Sequence, residues 1–302
     1  MSVITAEPMT DGRIVVGYDG SAGSVNALTH AARLANDRGI PLLILMALPH
    51  LNPKVPRTAR AIKLDPDYLS HIKGRAKRRL DAASEQLASQ YPELKTEVAL
   101  MSAEPAGALA EASKDAALVV VGVRGHSSER LSPMLGGVSG TVIAHAQGPV
   151  MVVPEGIHDM ASGPVVVGLV EAPDSLAAGQ VAVKEAERRG VPLMAIYAWD
   201  IAPELVDFGA TVRIDPEQTH KDLEAMLQSL LAPLLDGHPT VKAEYRVVQG
   251  TPRAALVDAS QQASLIVMGS RGLGGFAGLL LGSASRAVTR ESDCPVIVVR
   301  QR

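Results

Sequence analysis

Glycine spacing carries the strongest chemical signal in this sequence. Six glycines fall at positions 269, 272, 274, 275, 278 and 282, and Ser283 follows the last of them directly. Residues without a side chain let backbone N–H groups approach an oxyanion closely, and the amides opening a following helix add their dipole to the attraction. Ser283 stands where it would cap such a helix and donate its hydroxyl to a phosphate. The lysine of a Walker loop is missing, so the chemistry suggested is a phosphate cradle made of main chain. A loop rich in glycine for turn geometry alone is the competing reading.

A shorter version occurs earlier, as Gly122-Val123-Arg124-Gly125 followed by Gly136, Gly137 and Ser139. The third unusual segment is Gly17-Tyr18-Asp19-Gly20-Ser21, which places a carboxylate just after an apolar run. Arg124 and Arg271 sit inside the glycine segments; each guanidinium could reach a phosphate or belong to the surface.

The elements that must position these residues are written twice. Arg38-Gly39-Ile40-Pro41-Leu42 returns as Arg189-Gly190-Val191-Pro192-Leu193, and Leu118-Val119-Val120-Val121-Gly122 returns as Leu265-Ile266-Val267-Met268-Gly269. Both halves close alike, in Pro149 to Val153 and Pro295 to Val299, and the join lies in the short polar stretch from Pro154 to Gly163. Two domains are expected, residues 1–157 and 158–302.

In the first copy, apolar runs at 13–18, 42–48, 96–101, 118–122 and 150–153 read as strands covered on both faces, hence as a parallel sheet with crossover helices. The order reads βαβ-β-αβ-αβ, the segment from Leu64 to Tyr91 being the least defined. Ser24 is expected to cap the first helix, with Val25, Leu28, Ala32 and Ala35 on its inner face. The fold class is therefore α/β, two tandem doubly wound sheets of Rossmann type. Ligands of such sheets bind outside the carboxyl ends of the strands where strand order reverses, here the first and fourth.

At this point the chain resembles a tandem universal stress protein. The family's ATP-binding pattern, Gly-two-Gly-nine-Gly-Ser/Thr, is met by Gly269, Gly272, Gly282 and Ser283, and the likeness extends over nearly the whole chain. The resemblance implies a strand order of 3-2-1-4-5, in the manner of the adenine nucleotide alpha hydrolases. It also implies an aspartate that closes the first strand and contacts adenine, backbone around the fourth strand that holds the nucleoside, and a loop that holds ribose and phosphates.

Carried over to this sequence, the first site comprises Gly17, Asp19, Val121, Gly122, Arg124, Gly125, Gly136, Gly137 and Ser139. The second comprises Gly168, Val170, Met268, Gly269, Arg271, Gly272, Gly282, Ser283 and Ser285. The copies depart from the pattern in opposite places. Ten residues separate Gly125 from Gly136, and Gly137 replaces the Ser/Thr; in the second copy Val170 stands where the aspartate is expected.

The implied ligand is ATP, with or without Mg2+, or else AMP or a cyclic nucleotide. A regulatory stress-response role, a homodimer and an unidentified protein partner follow from the same resemblance, as does pairing of the last strand of each copy. A slow ATPase or nucleotidyl transferase, and a copy that serves only as a dimerisation scaffold, are the alternatives.

Composition narrows the field. A net charge of −3 and 3% aromatic residues argue against nucleic acid. One cysteine, Cys294, excludes an intrachain disulfide or thiolate cluster and reads as a buried thiol. The basic run from Lys73 to Arg79 reads as a solvated helix face. Eight histidines without ligand spacing argue against a metal site, and no Gly-x-Ser-x-Gly elbow points to a nucleophile, so no catalytic residue is expected. With no apolar stretch of about 20 residues and no signal-like start, the expected location is the cytoplasm.

Overall fold

Runs of Val, Ile and Leu form the strands, and the long segments between them serve as crossovers. The computed structural model describes residues 9–49, 66–125, 137–156, 162–200, 215–272 and 281–301. The chain divides into two units, Met1–Glu155 and Gly156–Arg302.

The first unit contains β1 (Ile14–Gly17), α1 (Ala22–Arg38), β2 (Leu42–Leu48), α2 (Pro66–Gln90), β3 (Thr96–Ser102), α3 (Pro105–Ala112), β4 (Leu118–Gly122), α4 (Gly137–His145) and β5 (Val150–Val153). Its strands lie in the order β3-β2-β1-β4-β5, all parallel. Ile14 pairs with Leu42 on one side and Leu118 on the other, so β1 and β4 flank the point where the order reverses.

The second unit repeats this with β6 (Val165–Gly168), α5 (Pro173–Arg189), β7 (Leu193–Trp199), α6 (Pro216–Leu235), β8 (Ala243–Gln249), α7 (Pro252–Ser260), β9 (Leu265–Gly269), α8 (Ser283–Glu291) and β10 (Val296–Val299). The order is β8-β7-β6-β9-β10, again all parallel. Ile14, Val15, Val16, Val165, Val166 and Val167 are fully buried, as a strand covered on both faces requires.

Helix α1 starts earlier than the sequence suggests. Ser21, in extended conformation, is the N-cap, and its hydroxyl accepts from Ser24 N. Ser24 lies inside the helix, its hydroxyl donating to Ser21 O and accepting from Asp19 N. Once Ser21 sets the start, Val25 faces solvent, and the inner stripe becomes Ala27, Leu28, Ala31, Ala32, Leu34 and Ala35. Alanine at these positions lets the helix axis come close to the sheet, and Ala178, Ala182 and Ala186 do the same on α5. Both helices end on a left-handed glycine, Gly39 at φ 63° and Gly190 at φ 64°, where any side chain would be strained.

The βαβ-β-αβ-αβ reading is corrected by α2, which stands between β2 and β3. Two parallel neighbours in register, Leu42 with Thr96, need a crossover, and α2 supplies it by burying Ala76, Leu80, Ala83 and Leu87. Lys73, Arg75, Lys77, Arg78 and Arg79 occupy its exposed positions. Among the described residues no helix is long and apolar enough to cross a membrane.

Candidate functional site

Each unit has a cavity at the carboxyl ends of its strands. In the first it is about 220 Å³ and lies between the ends of β1 and β4 and the start of α4. In the second it is about 490 Å³ and lies between the ends of β6 and β9 and the start of α8. Gly17, Asp19, Val121, Gly122, Arg124, Gly125, Gly137 and Ser139 line the first; Gly136 lies outside the described residues. Gly168, Val170, Met268, Gly269, Arg271, Gly272, Gly282, Ser283 and Ser285 line the second.

The walls of the two cavities use matching positions, of which sequence reading singled out only Val121 and Met268. Leu45, Ala47, Pro105, Leu109 and Val121 form an apolar slot in the first; Ile196, Ala198, Pro252, Leu256 and Met268 form its counterpart in the second. The internal repeat, followed one position at a time, would have found them. An apolar slot closed by a few polar groups suits a flat heterocycle attached to a charged tail.

The turn after β1 is held by a local network. Asp19 Oδ1 accepts from Ser21 N at 2.9 Å, and Oδ2 lies beside Gly125, where a Cβ would come within 2.8 Å of it. Arg79 reaches from α2 to donate from Nη1 to the Asp19 carbonyl at 3.2 Å. One member of the basic run thus packs against the site rim rather than standing wholly in solvent. After β6 the same turn survives without the carboxylate: Val170 N donates to Ser175 Oγ at 2.8 Å, as Asp19 N does to Ser24 Oγ at 3.3 Å.

The described glycines of the second loop are not there for turn conformation. Gly269, Gly272 and Gly282 all lie outside the positive-φ region. At Gly269 an added Cβ would meet the backbone of Asp174 and Ser175 at 2.9 and 3.0 Å, so the loop and the start of α5 are in close approach. At Gly272 the same atom would meet none of the described residues within 4 Å. Its position lines the cavity, so the space kept clear there is cavity space.

Gly282, rather than Ser283, is the N-cap of α8, and as a glycine it makes no side-chain cap hydrogen bond. Ser283 is its first residue and is exposed at the cavity mouth. Among the described residues the first-turn amides have no side-chain oxygen on them, and their dipole favours an anion. Ser285 and Ser139, which line the two cavities, also join each helix start to the strand before it. Ser285 Oγ donates to the Gly269 carbonyl at 2.9 Å and Ser139 Oγ to the Val123 carbonyl at 3.0 Å, each tying the helix start to the end of the preceding strand.

The two loop arginines are engaged by carboxylates. Arg124 lies 3.6 Å from Glu155, and Arg271 Nε lies 3.4 Å from Asp174 Oδ2. Asp174 is buried and also accepts from Ser270 Oγ at 2.7 Å and Gln301 N at 3.0 Å. Burial alone would raise its pKa, but those two hydrogen bonds and the Arg271 guanidinium outweigh burial and hold it below the ordinary carboxylate value. Sequence reading missed Asp174; the only local sign is an acidic residue in the first turn of a helix that opens with Pro173. Among the described residues no three metal-ligating side chains come together.

Comparison with known proteins agrees in both halves. The model of the universal stress protein family matches residues 12–154 and 162–300. A universal stress protein of Mycobacterium bovis is 35% identical over 307 aligned residues, covering 95% of this chain and 94% of the relative. One from Mycolicibacterium smegmatis is 33% identical over 304 residues, covering 97% and 98%. The solved structure of a universal stress protein from Archaeoglobus fulgidus superposes with a TM-score of 0.66 at 20% identity, over 97% of each chain.

Proposed function

The chain belongs to the universal stress protein family, and we propose that within it this protein binds an adenine nucleotide in each of its two halves, ATP being the expected ligand and AMP or a cyclic nucleotide the variants to test. The observation that carries the reading is the cavity of the second unit, where an apolar slot adjoins the Gly269 to Gly272 backbone and a helix start whose N-cap is Gly282. The slot would receive the base, and the amides and helix dipole would receive the phosphates. Mg2+ would enter with a triphosphate, held by its oxygens.

In the first half, Asp19 supplies an acceptor at the slot that the second half lacks at Val170. A hydrogen bond to a carboxylate contributes about 1.5–3 kcal/mol, so base selectivity is expected to be stricter in the first half. We read the protein as regulatory, occupancy setting its conformation or its choice of partner, and as a homodimer in solution; sedimentation checks the latter.

Denaturing release, chromatography and mass identification of nucleotide from the purified chain test the binding reading. Two nucleotides per chain is the expected count. One per chain would leave one half as a scaffold, and none would overturn the proposal.

A further inference from the structure

The arginine after each glycine-loop strand has a carboxylate partner, yet the partner comes from unrelated positions in the two copies. In the first copy it is Glu155, two residues beyond β5. The position two residues beyond β10 is Gln301, which carries no charge; there the carboxylate is supplied by Asp174 at the start of α5, and the Gln301 amide donates to it. The first copy has Gly23 where the second has Asp174, and a Cβ at Gly23 would come within 2.2 Å of the Arg124 carbonyl oxygen. That copy has no room for the second copy's solution. A pairing reached twice by different routes points to a demand on the arginine itself.

The contact at Arg271 is made by its Nε edge, while its side chain remains half exposed and lines the cavity. A guanidinium gripped at Nε keeps its two outer nitrogens in fixed orientation for a second anion. We infer that Asp174 is a positioning residue, which holds Arg271 by Nε so that its outer nitrogens meet the phosphates of a ligand in the second cavity. Ser270 and the Gln301 amide hold the carboxylate in turn, so the arginine is braced by three elements: the start of α5, the end of β9 and the segment after β10. This inference rests on the proposed function, because it needs a phosphate in that cavity.

The test uses the full chain with its first site closed by Gly125→Val, whose Cβ would fall 2.8 Å from Asp19 Oδ2, so that the second site is titrated alone. Asp174→Asn, Arg271→Gln and the double variant are compared for binding of ATP and of adenosine, which has no phosphate. Each single variant is expected to weaken ATP binding about tenfold and to leave adenosine binding unchanged. The double variant should lose little more than either single one, since both act through one contact. Equal losses for ATP and adenosine, or additive losses in the double variant, would assign Asp174 a purely structural role and overturn the inference alone. If the parent chain binds neither ligand, the proposed function falls and takes the inference with it. Thermal melts accompany every titration, and Ser270→Ala, which leaves the carboxylate in place but loosens it, gives an intermediate ATP loss if the brace matters.

Discussion

Gly272→Ala separates the needs of the fold from the needs of a ligand. Among the described residues the added methyl has no protein atom within 4 Å, and Gly272 is not among the positive-φ glycines. Folding should therefore be neutral or slightly favoured, because alanine restricts the unfolded chain by about 0.4–1 kcal/mol where the native backbone accepts it. The methyl does project into the cavity that Gly272 lines. If a phosphate rests against that amide, one charge-assisted hydrogen bond worth about 1.5–3 kcal/mol is blocked or lengthened, a loss of about ten- to a hundredfold in affinity. The assay pairs a thermal melt with the count of nucleotides retained per chain, backed by calorimetric titration of ATP. Expected are an unchanged or slightly raised melting temperature and the loss of one nucleotide per chain. An unchanged count with unchanged affinity would refute the placement of phosphate at this loop. A lowered melting temperature would show instead that the clearance around Gly272 serves folding.

Other substitutions probe the frame. Gly122→Ala should destabilise the first unit by about 1–3 kcal/mol, since its Cβ would meet Gly23 O at 2.5 Å and only backbone can give way; chemical denaturation reads this. Ser175→Ala removes the acceptor of the part-buried Val170 amide, now 2.8 Å from Ser175 Oγ, and should cost about 0.5–1.5 kcal/mol by the same measurement. Cys294 is buried and its thiol is pushed up to about 11, chiefly by desolvation, so native protein at pH 8 should resist alkylation and react only on unfolding; fast labelling of the native state would contradict this. The folded-state pKa of Asp174 is depressed, so its contribution is present above the unfolded carboxylate value of about 4 and fades as pH falls through the lower folded value. Acid denaturation of wild type should thus be steeper than that of Asp174→Asn at the low end of the profile, and superimposable curves would refute it.

The strands were readable because burial on both faces leaves an unbroken apolar signature. A run as short and β-branched as Leu118-Val119-Val120-Val121, closed at once by Gly122, leaves no length for a helix, and the Gly-x-Pro helix stops at Gly39 and Gly190 are equally local signals. The cap of α1 was not readable. Ser21 and Ser24 are both good caps by type, and the choice falls to Ser21 because Ser24 is drawn to the Asp19 amide. The site was legible where glycine spacing defines a backbone path and illegible where side chains meet across the sequence. Ser270 and Asp174 are 96 residues apart, and nothing near either announces the other. Ser139 and Ser285 carry such a link too: their hydroxyls reach back 16 residues to the Val123 and Gly269 carbonyls, a bond that their spacing does not announce.

The central place of β1 has a bearing on how the chain is made. Ile14 leaves the ribosome about a hundred residues before Leu118, its partner on one side, and Val165 precedes Leu265 by as much. At about 5–20 residues per second the innermost strand of each sheet waits on the order of 5–20 seconds with one flank unpaired. During biosynthesis its apolar edge, Ile14 to Val16 or Val165 to Val167, is open to the wrong neighbour, including the near-identical strand of the other copy.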